Sequence, residues 1–170
     1  MGKVKGTSFV SIREHIREKY GQEALERILA ELGSNGNTIA RAMSITWMPA
    51  EEVRRFYQTA SAVLSVDKIQ FCREVGAANA VKDLPRFFKY MISRTNPATV
   101  FRVLNIVWRL YYDTGKINVL ENEANHVTVE IRDFEDACEE ICSDIAGYCE
   151  TLLALLRLKN PRIAHTHCAG

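Results

Sequence analysis

Three cysteines fall on one face of a predicted helix near the C-terminal end of the sequence. Cys142 and Cys149 follow Cys138 by four and eleven residues, steps that nearly repeat the helical period. With Cys168 they supply four thiol groups, and thiolates are preferred ligands of zinc and iron–sulfur clusters. The alternative is core packing as small apolar side chains, which the absence of a Cys-x-x-Cys pair favours. The sequence predicts packed thiols and keeps a metal- or cluster-binding redox sensor as the alternative.

A group of aromatic side chains is the second feature that could serve a chemical function. Seven of them precede the predicted β-hairpin: Phe87, Phe88, Tyr90, Phe101, Trp108, Tyr111 and Tyr112. They could fill a core, or they could line an apolar pocket between a helical half and a sheet. If a pocket for a small apolar ligand exists, we expect its lining to include Phe87, Phe101, Trp108, Tyr111 and Cys149.

Motifs of the common enzyme classes are missing from the sequence. It contains no Gly-x-Ser-x-Gly elbow, no Walker-type phosphate loop and no Gly-x-Gly-x-x-Gly opening a helix. The adjacent carboxylates Glu51 and Glu52 point in different directions on a helix, so they do not form an acid–base pair. The sequence therefore predicts a protein that is not an enzyme and carries no cofactor.

Charge and hydropathy limit the kinds of partner that the sequence supports. The 22 Lys and Arg residues are balanced by 21 Asp and Glu residues, which gives no basis for bulk binding of nucleic acid. No window has the roughly 18 apolar residues of a membrane-spanning helix, and no signal-peptide pattern opens the chain. The five cysteines are an odd number, which favours free thiols. We expect a cytoplasmic protein without a membrane span.

The first half of the sequence reads as successive helices. Apolar residues recur at helical spacing from Phe9 to Tyr20, from Gln22 to Leu32 and from Pro49 to Leu64. Asp67 is a predicted N-cap of the next helix, and Pro85 and Pro97 are predicted to open two more. The stretch Gly33 to Asn37 is predicted to be a loop, since its residues tolerate positive φ.

In the second half of the sequence, the spacing of apolar residues changes from the helical period to the alternation typical of β-strands. Lys116 to Glu121 and His126 to Phe134 alternate as two strands of an antiparallel hairpin, and an amphipathic helix follows from about Glu135 to Leu158. We expect this long helix to bury its apolar stripe against the sheet. Arg162 to Cys168 is a predicted last strand, whose open edge would favour a homodimer or capture of a protein partner. The fold class is α+β, with a helical N-terminal half, a twisted antiparallel sheet and a long packed helix, in one domain spanning 1–170.

Several local strings of the sequence carry a family resemblance. They are Val4-Lys5-Gly6-Thr7-Ser8-Phe9, Tyr20-Gly21-Gln22-Glu23-Ala24, Trp47-Met48-Pro49 and Trp108-Arg109-Leu110-Tyr111-Tyr112-Asp113-Thr114-Gly115. Along nearly its whole length the chain resembles a family of uncharacterised bacterial proteins. That family is related in fold to the heme-NO/oxygen-binding domain, the 4-vinyl-reductase-like domain and the subunits of the TRAPP tethering complex. The resemblance implies a sensory, ligand-binding or protein-interaction domain with a role in signalling.

Two departures from the heme-binding branch follow from the same resemblance. That branch needs a proximal histidine and a Tyr-x-Ser-x-Arg string, whereas no histidine lies between His15 and His126 here. The nearest string, Tyr90-Met91-Ile92-Ser93-Arg94, has a different spacing. We therefore expect a domain that does not bind heme in the usual way.

Overall fold

The computed structural model describes residues 1–87, 105–123, 126–155 and 161–166. Its N-terminal part consists of five helices and two short strands: β1 (Lys3–Lys5), α1 (Gly6–Tyr20), α2 (Gln22–Glu31), α3 (Ser34–Ala40), β2 (Trp47–Pro49), α4 (Ala50–Leu64) and α5 (Lys68–Phe87). Strands β1 and β2 pair antiparallel, with Val4 opposite Met48. The predicted helical first half is confirmed.

The C-terminal part contains the predicted hairpin. Its described elements are α6 (105–111), β3 (Lys116–Asn122), β4 (Val127–Arg132) and α7 (Glu139–Leu155). Strands β3 and β4 are antiparallel, with Ile117 opposite Ile131, and a bulge interrupts the register between Val119 and Glu121. The α+β fold class is confirmed.

Two positions test the helix boundaries that local sequence signals predict. The carboxylate of Asp67 accepts a hydrogen bond from the Gln70 N–H at 2.7 Å, which confirms the predicted N-cap. Pro85 does not open a new helix, because α5 continues through it to Phe87. A proline inside a helix removes one backbone hydrogen bond, which is why the local signal predicts a helix boundary there.

The segment predicted as a loop, Gly33 to Asn37, mostly forms the short helix α3. Gly33 has φ of 60° and precedes the helix, so only this residue uses the left-handed conformation at the turn. The Arg13 guanidinium donates to the Ile39 and Ala42 carbonyls at 2.8 and 3.0 Å, and these bonds satisfy the C-terminal end of α3. A long-range side chain, which local sequence does not reveal, stabilises this helix.

Two glycines allow α5 and α7 to cross at close range. A Cβ atom on Gly76 would lie 1.9 Å from the Asp144 carbonyl oxygen, and one on Gly147 would lie 2.1 Å from the Arg73 carbonyl oxygen. The α5–α7 contact is the most extensive between any two described elements. The sequence predicted that the sheet is the main packing partner of α7, but that partner is α5. The hairpin joins the same core through Ile117 and Ile131.

The N-terminal strand β1 connects the two halves of the chain. The Gly2 N–H donates to an Asp136 carboxylate oxygen at 2.7 Å, and the Lys3 N–H donates to Asp113 Oδ1 at 2.6 Å. Val4 forms a β-bridge with Tyr112 while it pairs with Met48 on its other side. We call residues 1–5 the N-terminal clasp.

The C-terminal end differs from the sequence prediction. Residues Pro161 to Thr166 have no regular secondary structure, so the predicted strand is wrong for the part of it that is described. His167 and Cys168 lie outside the described residues. The long helix begins at Glu139 rather than near Glu135, because Asp133 and Asp136 adopt positive φ values of 55° and 60° that end helical geometry. Within the described ranges, no helix combines the length and apolar character that a bilayer crossing requires.

Candidate ligand-binding site

A cavity of about 80 Å³ lies where α1, α5, α6, β3 and α7 meet. Its polar lining comes from α1, α5 and α7: Ser8, Ser11, Asn79, Asp83 and Asp144. Val107, Ile117 and Ile145 supply aliphatic surface. Apolar walls with a few convergent polar groups are the usual chemistry of a specific small-molecule site.

Four aromatic residues form much of the remaining wall: Trp108, Tyr111, Tyr112 and Tyr148. The Trp108 and Tyr112 rings stack with centroids 4.2 Å apart. Phe134 contacts both rings edge-on, at 5.0 Å and 5.1 Å. The Trp108 indole N–H donates to the Thr114 carbonyl oxygen at 2.8 Å. Because each ring is fixed by a second contact, this wall is preorganised.

Asp83 connects three helices at the edge of the cavity. Its Oδ2 atom accepts a hydrogen bond from the Tyr111 hydroxyl at 2.5 Å and a longer one from the Tyr148 hydroxyl at 3.5 Å. Asp83 lies on α5, Tyr111 on α6 and Tyr148 on α7, so one carboxylate holds the aromatic wall against the helix crossing. Burial raises the pKa of Tyr148, and the neighbouring Asp83 charge raises it further.

Asp144 is the second carboxyl group of the cavity and has a different environment. Its Oδ1 atom lies over Gly76 of α5, in space that any larger residue would occupy. Burial raises the pKa of Asp144 to about 7, and the nearby Tyr57 hydroxyl opposes this shift. Tyr57 is fully buried, and its hydroxyl has no hydrogen-bond partner of normal geometry among the described residues. A carboxyl group whose pKa is raised toward neutrality therefore lines the cavity.

The structure brings together three of the five residues that the sequence analysis proposed for a pocket. Trp108, Tyr111 and Cys149 all line the cavity. Phe87 is the last residue of α5, and the position of its side chain is not described. Phe101 lies outside the described residues. That a ligand occupies the cavity stays a prediction.

The cysteines of the alternative reading do not form a metal site in the described part of the chain. Cys138 is buried at the start of α7, whereas Cys142 and Cys149 are half-buried along it, and none of the three is in a disulfide. No cluster of three or more histidine, cysteine or acidic side chains suits a metal ion among the residues described. Cys168 lies outside them. Burial raises the pKa of Cys138 to about 11 and that of Cys149 to about 12, which disfavours the thiolates that metals require.

Sequence reasoning missed Asp83, Asp144 and Tyr148. The spacing of the acidic residues on the last helix is that of a solvated face, yet Glu140 is 3% exposed and Asp144 lines the cavity. Glu140 is held by Gln58 at 2.8 Å and by Lys68 at 3.0 Å, which explains how a carboxylate is tolerated there. The available signal was Gly147 with Ser143, small residues at helical spacing that mark a close helix contact beside Asp144.

Comparison with known proteins identifies structures of similar fold but no family to which the sequence can be assigned. No protein-family model and no curated protein match the sequence. The Fe(II) unliganded H-NOX protein from K. algicida is similar with a TM-score of 0.74 at 15% identity, over 90% of this chain and 83% of that one. An oxygen-binding H-NOX domain related to soluble guanylate cyclases gives 0.65 at 15% identity, over 90% and 81%. The chain therefore has an H-NOX-like fold.

Proposed function

We propose that this chain is a cytoplasmic, non-enzymatic sensory domain that binds a small molecule in the cavity between α5, α6 and α7 and does not hold heme in the usual way. The observation that carries the proposal is the cavity itself. Stacked aromatic rings and a tyrosine-bound carboxylate fix its wall before any ligand arrives. The H-NOX-like fold supports a sensory role, because it is the fold of the oxygen-binding domain to which this chain is similar.

The residues of the cavity do not fit heme. Among the described lining residues there is no histidine to serve as axial ligand and no arginine or lysine to pair with propionate groups. Asp83 and Asp144 lie there instead, and their negative charge would repel propionates. The volume of about 80 Å³ is also far below the roughly 300 Å³ and more of typical cofactor sites. His15 is not a lining residue; it lies on α1, with its ring 5.9 Å from that of Phe71.

A heme titration tests this part of the proposal. We expect purified protein mixed with heme to give no stable one-to-one complex with a sharp Soret band, because the lining lacks an axial histidine. A heme-binding H-NOX domain treated in the same way is the positive control. A tight stoichiometric complex would show that the proposal is wrong on this point.

Native mass spectrometry tests the cavity as a ligand site. We expect protein purified gently from its source to retain a small molecule that denaturation releases. A preparation in which Tyr148 is replaced by Trp, which fills the cavity, is the matched control and should lose that mass. Identical spectra for the two proteins would contradict a role for this cavity in binding.

The proposal includes a partner that recognises the ligand-bound state, either a second copy of this chain in a homodimer or another protein. The predicted edge strand near the C-terminus no longer supports it, since the described residues 161–166 form no strand. The hairpin supports it instead: Leu120 and Val129 are exposed apolar residues on β3 and β4. Neither outer edge of this two-stranded sheet has a strand partner within the described ranges.

A further inference from the structure

The charged side chains in the described lining of the cavity are all acidic. Its described lining contains two carboxyl groups, Asp83 and Asp144, and no lysine, arginine or histidine. Asp83 already accepts hydrogen bonds from Tyr111 and Tyr148. Among the described residues, the Tyr57 hydroxyl is the one neighbouring polar group that favours the charged form of Asp144. A half-buried carboxylate without a neighbouring cation is costly to ionise, so a ligand that brings a positive charge would gain most at Asp144.

The rings around Asp144 suit the same kind of ligand. The faces of tryptophan and tyrosine attract cations through their quadrupoles, and this attraction strengthens where water is excluded. Trp108, Tyr112 and Tyr148 line the cavity together with Asp144. The described lining thus combines a carboxyl group with aromatic side chains, whereas an apolar ligand would leave the charge of Asp144 unmatched.

We propose that the ligand of this cavity is a small organic cation, of the alkylammonium class, bound by Asp144 and the surrounding aromatic rings. This inference rests on the proposed function and specifies its ligand. The cationic ligand replaces the apolar ligand that the sequence suggested, because the sequence pattern did not show that two carboxyl groups line the cavity.

The volume sets the size of the cation. A dry cavity of about 150 Å³ accommodates a benzene molecule. The cavity of about 80 Å³ therefore has room for about three to five non-hydrogen atoms in the conformation described. Isopropylammonium, with three carbons and one nitrogen, is a suitable probe, and 2-propanol is a neutral molecule of nearly the same shape.

The protonation of Asp144 predicts how binding depends on pH. The groups that face it are Tyr57 of α4, Cys72 of α5, Tyr112 after α6, and Tyr148 and Cys149 of α7. Each of these has a raised pKa and is neutral at pH 7. Since Asp144 has a pKa of about 7, a cation must displace its proton to solvent at lower pH. Affinity should fall by about tenfold per pH unit below neutrality and level off above it.

Calorimetric or NMR titration of the full chain with both probes tests the proposal. We expect isopropylammonium to bind at least about tenfold more tightly than 2-propanol, a difference of about 1.4 kcal/mol. The Asp144→Asn variant should lose this preference and its pH dependence. Glu139→Gln, which removes an exposed carboxylate from the first turn of the same helix, is the matched control and should change neither.

The outcomes separate this inference from the function on which it rests. Equal binding of the two probes, or unchanged preference in Asp144→Asn, overturns the cationic ligand and leaves a ligand-binding cavity. A neutral molecule retained in native mass spectrometry likewise overturns the cationic ligand and leaves a ligand-binding cavity. If neither probe binds and no molecule is retained, the inference and the proposed function both fail.

Discussion

Asp144 is half-buried, and the free-energy cost of placing its carboxyl group there depends on pH. Its pKa rises from an ordinary value of 3.8 to about 7 on folding, because burial disfavours the charged form. Between these two values the folded state binds more protons than the unfolded state does. Stability contributed by the neutral form is therefore present at low pH and is lost as pH rises toward 7.

Replacing Asp144 by Asn should remove this dependence. Each pKa unit corresponds to about 1.4 kcal/mol, so the wild type should lose a few kcal/mol of unfolding free energy between about pH 4 and pH 7 relative to the variant. Urea denaturation at several pH values measures it, and Glu139→Gln serves as the control with an exposed carboxylate. If both proteins show parallel pH profiles, Asp144 is not the titrating group.

Single residues also show what the sequence could not reveal at the site. Trp108, Tyr111 and Cys149 were identifiable because aromatic side chains cluster before the hairpin and Cys149 lies on an apolar stripe. Asp144 was not, because a carboxylate among Glu139, Glu140 and Glu150 has the pattern of a solvated helix face. Its burial depends on Gly76, about seventy positions earlier in the chain, and no periodic pattern connects the two residues.

At the scale of elements, the α5–α7 crossing positions the cavity. Asp83 and Asn79 come from one helix and Asp144, Tyr148 and Cys149 from the other. The separation of these helices therefore sets the distance between the polar groups of the site. Arg73 of α5 and Glu150 of α7 add an ion pair of 2.7 Å across the same contact.

Adding a methyl group at the crossing should separate the helices. Gly76→Ala and Gly147→Ala place a Cβ within 1.9 and 2.1 Å of backbone oxygens, which cannot move without shifting a helix. We expect each to lower the unfolding free energy by about 1–3 kcal/mol and to change Trp108 fluorescence near the cavity.

Gly21→Ala provides a control that separates crowding from backbone strain. Gly21 has φ of 90° and nothing within 4 Å of an added Cβ. It should lose about 1–2 kcal/mol through backbone strain alone and leave Trp108 fluorescence unchanged. Equal fluorescence changes in all three variants would show that the crossing does not control the cavity.

Local signals predicted most elements of the fold, and long-range contacts account for the errors. The Asp67 cap and the hairpin depend on neighbouring residues or strict alternation, so sequence was sufficient for both. Helix α3 is stabilised by Arg13 of α1, and α5 continues through Pro85 against the local signal. The strand predicted after Arg162 had alternation but is not formed over 161–166, where no described strand pairs with it.

At the scale of the whole molecule, the exposed end of the hairpin is the surface that we expect to mediate self-association. Leu120 is 54% exposed and Val129 is 37% exposed, in a sheet of only two described strands. Open edges and exposed apolar side chains favour pairing with a second copy. We predict a homodimer that Val129→Lys weakens by at least about tenfold, because it would bury an unpaired charge.

Sedimentation velocity at several protein concentrations measures this dimer. Val81→Lys is the matched control, since Val81 is 54% exposed on α5, away from the hairpin. A wild type that remains monomeric would end the prediction. A dimer that Val81→Lys weakens more than Val129→Lys does would place the interface on the helices instead.

The N-terminal clasp has a consequence for the order in which the molecule can form during synthesis. Gly2 and Lys3 bind Asp136 and Asp113, which the ribosome adds to the chain more than a hundred residues later. Helices α1 to α5 can assemble from local contacts while the ribosome is still extending the chain, but β1 must wait with one side unpaired. Closure of the clasp is thus a late folding event, and until it occurs Tyr112 and the aromatic wall beside it lack their contact with Val4.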